Sequence, residues 1–211
     1  MATDNFNRAD GGLGTNWTTT TSETAFVISA NIAEPTSGSD HGGWWNANAF
    51  ANDQYSQCLL PVIATAGGGL GTGCGVSVRE ANGARTYYRV VASAAGTELG
   101  KTVTGTFTSL KTDATVWANG DTIRLEVSGT SLTVKRNGST ISALSTTDGS
   151  ISSGSAGIKY SGIATGAPVV DDWDGGDLAG GGTTLTPAQG AVAFTGQGTK
   201  LGFTINMPDE P

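Results

Sequence analysis

The sequence is poor in the residues that build helices, hold metals or grip phosphate. Only 14% of its 211 residues are charged, and no stretch carries a 3.6-residue apolar period, so no helix of ordinary length is expected. A single histidine and two cysteines fall short of the four ligands of a structural zinc site. Eleven basic residues against 18 acidic ones give a net charge of -7, and they are scattered rather than grouped in a stripe. Without a positive patch to displace counterions, nucleic acid is an unsuitable partner, whereas cationic surfaces and neutral sugars are easier ones. No run approaches the roughly 20 apolar residues of a membrane span, so no membrane partner is expected. The opening MATDNFNRADGG has no basic segment leading into an apolar one, which sets the expectation of synthesis in a cytoplasm.

What is abundant is glycine, at 33 residues, with long Thr/Ser stretches, a composition that favours short strands joined by turns. The predicted class is all-β. Alternation marks strands in TAFVISANIA, with Phe26, Ile28 and Ala30 on one face, and in QYSQCLLPVI, CGVSVRE and RTYYRVVAS. It is clearest in DTIRLEVSG, where Ile123, Leu125 and Val127 alternate with Arg124 and Glu126. Asn137-Gly138 then supplies the positive φ angles of a type I′ hairpin turn. Further turns are expected at Trp117 to Asp121, Arg79 to Arg85 and Ala66 to Gly73, a spacing that describes a meander or sandwich. Cys58 shares strand phase with Leu60 and Val62, and Cys74 with Val76 and Val78, which points both into one core. They are read as buried free thiols, with a cross-strand disulfide as the alternative.

After Leu178 the composition changes to AGGGTTLTPAQG. The expected organisation is a β-sandwich over 1–178, a Gly/Thr/Pro linker over 179–189 and a strand-forming docking tail over 190–211. A lone hairpin is marginal in water, so such a tail is expected to dock on its own domain or on another chain, with a disordered end as the alternative.

DNFNRADGGLGTNW, NDQYSQC, GVSVREANGARTYYRV, NGDTIRLEVSGTSLTVKRNGSTI and GIKYSG…VVDDWDGGDL together resemble the concanavalin A-like lectin/glucanase superfamily. More narrowly they are similar to the LamG-like jelly-roll domains of bacteriophage and bacterial exported proteins, over about residues 1–178. The resemblance implies two antiparallel sheets packed face to face, with first and last strands adjacent. DNFNRAD and DDWDGGD would then lie side by side, Phe6 and Trp173 packed inward and the acids facing solvent or capping turns. Because the superfamily often carries calcium, Asp4, Asp10, Asp171, Asp172 and Asp174 are the candidate ligands, although DDWDGGD lacks the spaced order and terminal Glu of an EF-hand loop. No other cofactor is expected.

Catalytic constellations are absent from the pattern. Glucanases of this fold place their acids as Glu-x-Asp-x-Glu on one strand, and nothing here matches, which leaves Glu80 and Glu126 as isolated acids on surface strands. His41 reads as a loop residue without a Gly-x-Ser-x-Gly elbow. GGGLGTGCG has no Gly-Lys-Ser/Thr to make a phosphate loop. The best binding patch is Trp44, Trp45, Asn46, Asn48 and Tyr55, rings to stack on a sugar and amides to bond its hydroxyls, with one of the two adjacent tryptophans necessarily turned inward. TLTPAQGAVAFTGQGTKLGF is similar to terminal segments of phage virion proteins, so the leading expectation is a noncatalytic virion structural protein. Its partners would be major capsid or tail proteins and copies of itself, trimeric in a spike or fibre. The alternatives are a carbohydrate-binding module for host glycans and, behind it, a glycoside hydrolase.

Overall fold

Strands whose residues alternate between apolar and polar bury one face each, and here they do so by packing two antiparallel sheets together. The computed structural model describes residues 1–64, 69–81, 83–162 and 168–178. The linker and tail expected over 179–189 and 190–211 lie outside the described residues. Among the described residues there is no α-helix, only one 3₁₀ turn at Ser142–Leu144.

The larger sheet runs in the spatial order Ser139–Thr140, Ser131–Arg136, Asp121–Ser128, Gln54–Val62, Val169–Asp177, Ile32–Pro35, Phe26–Ser29 and Gly11–Gly12. The smaller, seven-stranded sheet runs Thr106–Asp113, Gly96–Val103, Tyr87–Ser93, Gly73–Glu80, Ser155–Ser161, His41–Trp45 and Trp17–Thr19. The two acidic stretches meet as the family resemblance implied. Ala2–Asp4 pairs with Val169–Asp177, with Asp4 opposite Trp173, and so ties the first strand to the last. Phe6 and Trp173 are buried between the sheets, where Trp173 stacks on Trp45 at 5.3 Å and meets Trp17 edge-on at 4.7 Å. Asn137 and Gly138 take φ of 49° and 79°, the turn that their sequence predicted.

Three local readings of the sequence are corrected. Ala30 leaves the face of Phe26 and Ile28 because it and Asn31 form a turn with φ of 51° and 66°, so the chain reverses where alternation alone would have continued. Val62 closes its strand in solvent at 37% exposure, whereas Cys58 and Leu60 are buried. His41 is no loop residue. It begins a strand of the smaller sheet, buried between Phe26 and Tyr160, with its Nδ1 at 2.7 Å from the Ser39 carbonyl and its Nε2 accepting the Thr36 amide. Burial pushes its pKa down, against the pull of Ser39 and Asp40, and favours the neutral ring.

Cys58 and Cys74 point into the common core from opposite sheets, and both are free thiols. Burial drives both thiol pKa values up, which suppresses the thiolate that reacts. Iodoacetamide should therefore label neither cysteine in the native chain and both in urea. Native labelling within minutes would show that the core opens there.

Candidate functional site

The unusual surface is the outer face of the seven-stranded sheet. A strand packed on one side should read half-buried, yet Gly73–Glu80 and Tyr87–Ser93 are buried at every position. The core side takes Cys74, Val76, Val78, Tyr88, Val90 and Ala92. On the other side strand pairing makes two neighbouring rows, Gly42, Lys159, Gly75 and Gly157, Ser77, Arg89, Gly100.

At the centre of this face Lys159 is fully buried. Its ammonium donates to Thr20 Oγ1 at 2.6 Å, to Glu23 Oε2 at 3.0 Å and to Glu80 Oε1 at 3.0 Å, and it lies 3.8 Å from the centre of the Tyr87 ring. Glu80 also accepts from Ser77 Oγ at 2.8 Å and from the Thr20 hydroxyl. Glu23 accepts from the Tyr87 hydroxyl and from Arg85 Nε at 2.9 Å, and Arg85 continues to Asp40 Oδ2 at 2.6 Å. The side chains of Lys159, Glu23 and Glu80 are each no more than 1% exposed. Gly42 makes the space, since a Cβ there would stand 2.0 Å from Glu23 Oε2 and 2.5 Å from Lys159 Nζ.

Neighbouring charges set the direction in which Glu23 and Lys159 shift. Burial alone would raise the Glu23 pKa, but the facing Lys159 and the bonds from Tyr87, Lys159 and Arg85 outweigh it, and the net direction is down. Burial alone would lower the Lys159 pKa, but Glu80 and Glu23 outweigh it, and the net direction is up. A general acid for glycoside hydrolysis needs a carboxyl with a raised pKa that stays protonated near neutrality. Glu23 has moved the opposite way.

Towards the sheet edge lies a second group. Arg89, 6% exposed, has its Nη2 3.8 Å from Glu98 Oε2 and its guanidinium 4.4 Å from the centre of the Phe107 ring, which is 41% exposed. Arg85, from the buried network, also lines an open depression of about 390 Å³ together with Thr21, Ser22, Gly83, Ala84, Thr104 and Gly105.

The patch expected from sequence is divided between the two outer faces. Trp45 is the inward ring, donating to Asn48 Oδ1 at 3.1 Å, and Trp44 is on the seven-stranded outer face at 9% exposure. Asn46 is exposed at that strand's end and donates to Thr18 Oγ1. Tyr55 belongs to the other sheet, where Arg124 lies 3.5 Å from its ring centre. Glu126 is on that second face too, paired with Arg124 and Lys135 at 2.6 and 2.8 Å. Glu80 is not the isolated surface acid that the sequence indicated, because the buried Lys159 pairs it with Glu23.

Of the acidic residues, Asp4, Asp172 and Asp174 line one open cavity of about 420 Å³, and Asp171 adjoins it in the same strand. Asp10 is elsewhere, accepting the Ala30 amide at 3.0 Å. Asp4 takes both arms of Arg8, at 2.7 and 3.0 Å, together with the Trp17 indole and the Phe6 amide. Its oxygens are thus engaged as a structural anchor, and the described residues contain no group of three or more His, Cys, Asp or Glu side chains arranged to hold a metal. Of the five candidate ligands only Asp4, Asp172 and Asp174 share that cavity, and Asp4 is already committed to Arg8, Trp17 and Phe6.

Two face-to-face antiparallel sheets closed by pairing of first and last strands make this a concanavalin A-like β-sandwich. No family model matches the chain, and no curated protein matches it. Solved structures do. The carbohydrate-binding module CBM66 from Bacillus subtilis superposes with a TM-score of 0.62 at 15% identity, covering 77% of this chain and 96% of that one. The exoplasmic/lumenal domain of VIP36, in its Ca2+/Man3GlcNAc-bound form, gives 0.55 at 10% identity over 77% and 84% of the two chains. SCLam, a non-specific endo-beta-1,3(4)-glucanase from family GH16, gives 0.51 at 10% identity over 82% and 89%. At such identities the likeness is one of fold.

The sequence reading missed Glu23, Arg85, Arg89, Glu98, Phe107 and Lys159. Alternation places Arg89 and Lys159 away from the core, and an outward charge on a strand ordinarily means solvent. The available signal was glycine. Gly42, Gly75, Gly100 and Gly157 come from four strands of one sheet and share one face, and glycine inside a strand often marks a close approach.

Proposed function

We propose that this chain is a noncatalytic carbohydrate-binding β-sandwich whose ligand lies on the outer face of the seven-stranded sheet. The observation that carries this reading is the make-up of that face, where an exposed ring lies beside a carboxylate and a guanidinium while the two central glutamates are locked to one lysine. Saccharides are held by this division of labour, apolar ring faces against C–H surfaces and a few placed polar groups against hydroxyls. Support comes from the fold shared with a carbohydrate-binding module and with the VIP36 exoplasmic/lumenal domain in its Ca2+/Man3GlcNAc-bound form. A glucanase shares the fold too, but the downward shift of Glu23 counts against the acid chemistry that such an enzyme needs.

The virion-assembly expectation gains no comparable support. It rested on composition and on the segment TLTPAQGAVAFTGQGTKLGF, which lies outside the described residues. Oligomeric state and virion partners therefore form no part of this proposal.

A glycan array probed with the full chain, followed by a reducing-end assay on every glycan that binds, tests the reading. Saturable binding without cleavage is expected. No binding to any glycan would overturn the proposal, and cleavage abolished by Glu80→Gln would replace it with a hydrolase.

A further inference from the structure

On the reading that this face binds carbohydrate, we propose that Phe107, Arg89 and Glu98 form its anchoring subsite, and that the subsite takes an uncharged pyranose through two neighbouring hydroxyls. Three observations converge. First, Arg89 is buried without the partners that a buried guanidinium needs. Its Nε has no hydrogen-bond partner, and its Nη2 is 3.8 Å from Glu98, beyond hydrogen-bond length. Buried donors are nearly always satisfied, yet Nη1 and Nη2 also make no hydrogen bond to the described residues and, unlike Nε, are not sealed from the surface, so they are the donors open to a group supplied from outside.

Second, Phe107 is held in place although it is 41% exposed. It sits in the edge strand Thr106–Asp113, otherwise almost wholly polar and exposed. The pairing with Gly96–Val103 sets Phe107 opposite Thr102 in unbroken register. Its ring lies across Gly100, where a Cβ would come within 2.4 Å of it, and against the Arg89 guanidinium. One face of the ring is thereby backed while the ring stays exposed, the arrangement of a stacking platform.

Third, the polar pair is complementary to a diol. Glu98 accepts from O–H and Arg89 donates to oxygen, the two functions that each hydroxyl offers in reverse. Gly71 admits the carboxylate, for a Cβ there would stand 2.2 Å from Glu98 Oε2, and Leu70, 46% exposed, approaches Gly96 beside it. A carboxylate in the subsite, within a chain of net charge -7, disfavours uronic or sulfated sugars. Lys159 lies deeper and is already saturated by its own partners.

The experiment measures affinity by calorimetry for neutral glycans retained on the array, using the full chain and its Phe107→Ala, Phe107→Tyr and Glu98→Gln variants. Circular dichroism checks that each is folded. Phe107→Ala and Glu98→Gln should each weaken binding about tenfold or more, and Phe107→Tyr should keep it within about threefold, a tenfold change being 1.4 kcal/mol. If the wild type binds glycan and both disruptive variants bind equally well, the subsite is elsewhere and only the broader reading survives. If the array shows acidic glycans alone, or if Glu98→Gln strengthens binding, the neutral-diol assignment falls. If nothing binds, both proposals fall.

Discussion

Lys159→Met should destabilise the folded chain by about 3–5 kcal/mol at neutral pH, the range for breaking a buried ion pair by removing one partner. The loss comes less from the missing attraction than from what stays behind, two glutamates at most 1% exposed with no cation between them. Chemical denaturation with far-UV detection measures the effect. The pH dependence distinguishes this cause from simple repacking. In the wild type the Glu23 pKa lies below the ordinary value of 4.5, so its contribution is present above that value and is lost as pH falls through the folded one. In the variant the same burial, now unopposed by Lys159, raises the Glu23 pKa, so protonation relieves the repulsion. The gap between wild type and variant should therefore narrow as pH is lowered towards about 4. A gap independent of pH would show that the glutamates do not carry the loss. Adding Glu23→Gln and Glu80→Gln to the variant should recover part of it at pH 7.

Trp173→Ala should cost a similar amount, about 3–5 kcal/mol, for a different reason. Trp173 is 1% exposed, stacks on Trp45 at an interplanar angle of 27°, and donates through its indole to Ser56 Oγ at 2.9 Å. Truncation leaves a cavity where the first and last strands meet, and removes the ring that fills it. For a domain of this size such a loss lowers the melting temperature by about 6–20 °C. Near-UV circular dichroism should lose the signal of the Trp17, Trp45 and Trp173 cluster. An unchanged melting temperature would mean that this closure contributes little. Trp173→Phe, which keeps most of the volume, should cost less.

How much was readable in advance follows from what each element depends on. The hairpin at Asn137 and Gly138 needs only two residues in sequence, and the strand Asp121–Ser128 needs only its own alternation, so both were legible. The junction of DNFNRAD with DDWDGGD was legible through family resemblance, because nothing local joins residues so far apart. The candidate site was not legible. Glu23, Glu80 and Lys159 are separate in sequence and meet only when Ser155–Ser161 lies between His41–Trp45 and Gly73–Glu80. The patch from Trp44 to Tyr55 looked continuous for the converse reason. Its residues are neighbours in sequence, but Tyr55 follows a turn into the opposite sheet, and an odd strand phase sends Trp45 into the core. His41 was misplaced because the glycines after it suggest a loop, whereas they are strand residues that make room for Glu23, Lys159 and Leu13.

The central claim, that carbohydrate is held on the outer face of the seven-stranded sheet, is tested most directly by mapping amide chemical-shift changes while a neutral oligosaccharide retained on the array is titrated into the full chain. The account predicts saturable changes grouped on Arg89, Glu98, Gly100, Thr102 and Phe107, with Tyr55, Arg124 and Glu126 on the opposite face unmoved. Changes grouped around Tyr55 and Arg124 instead, or no saturable change at any concentration, would contradict it.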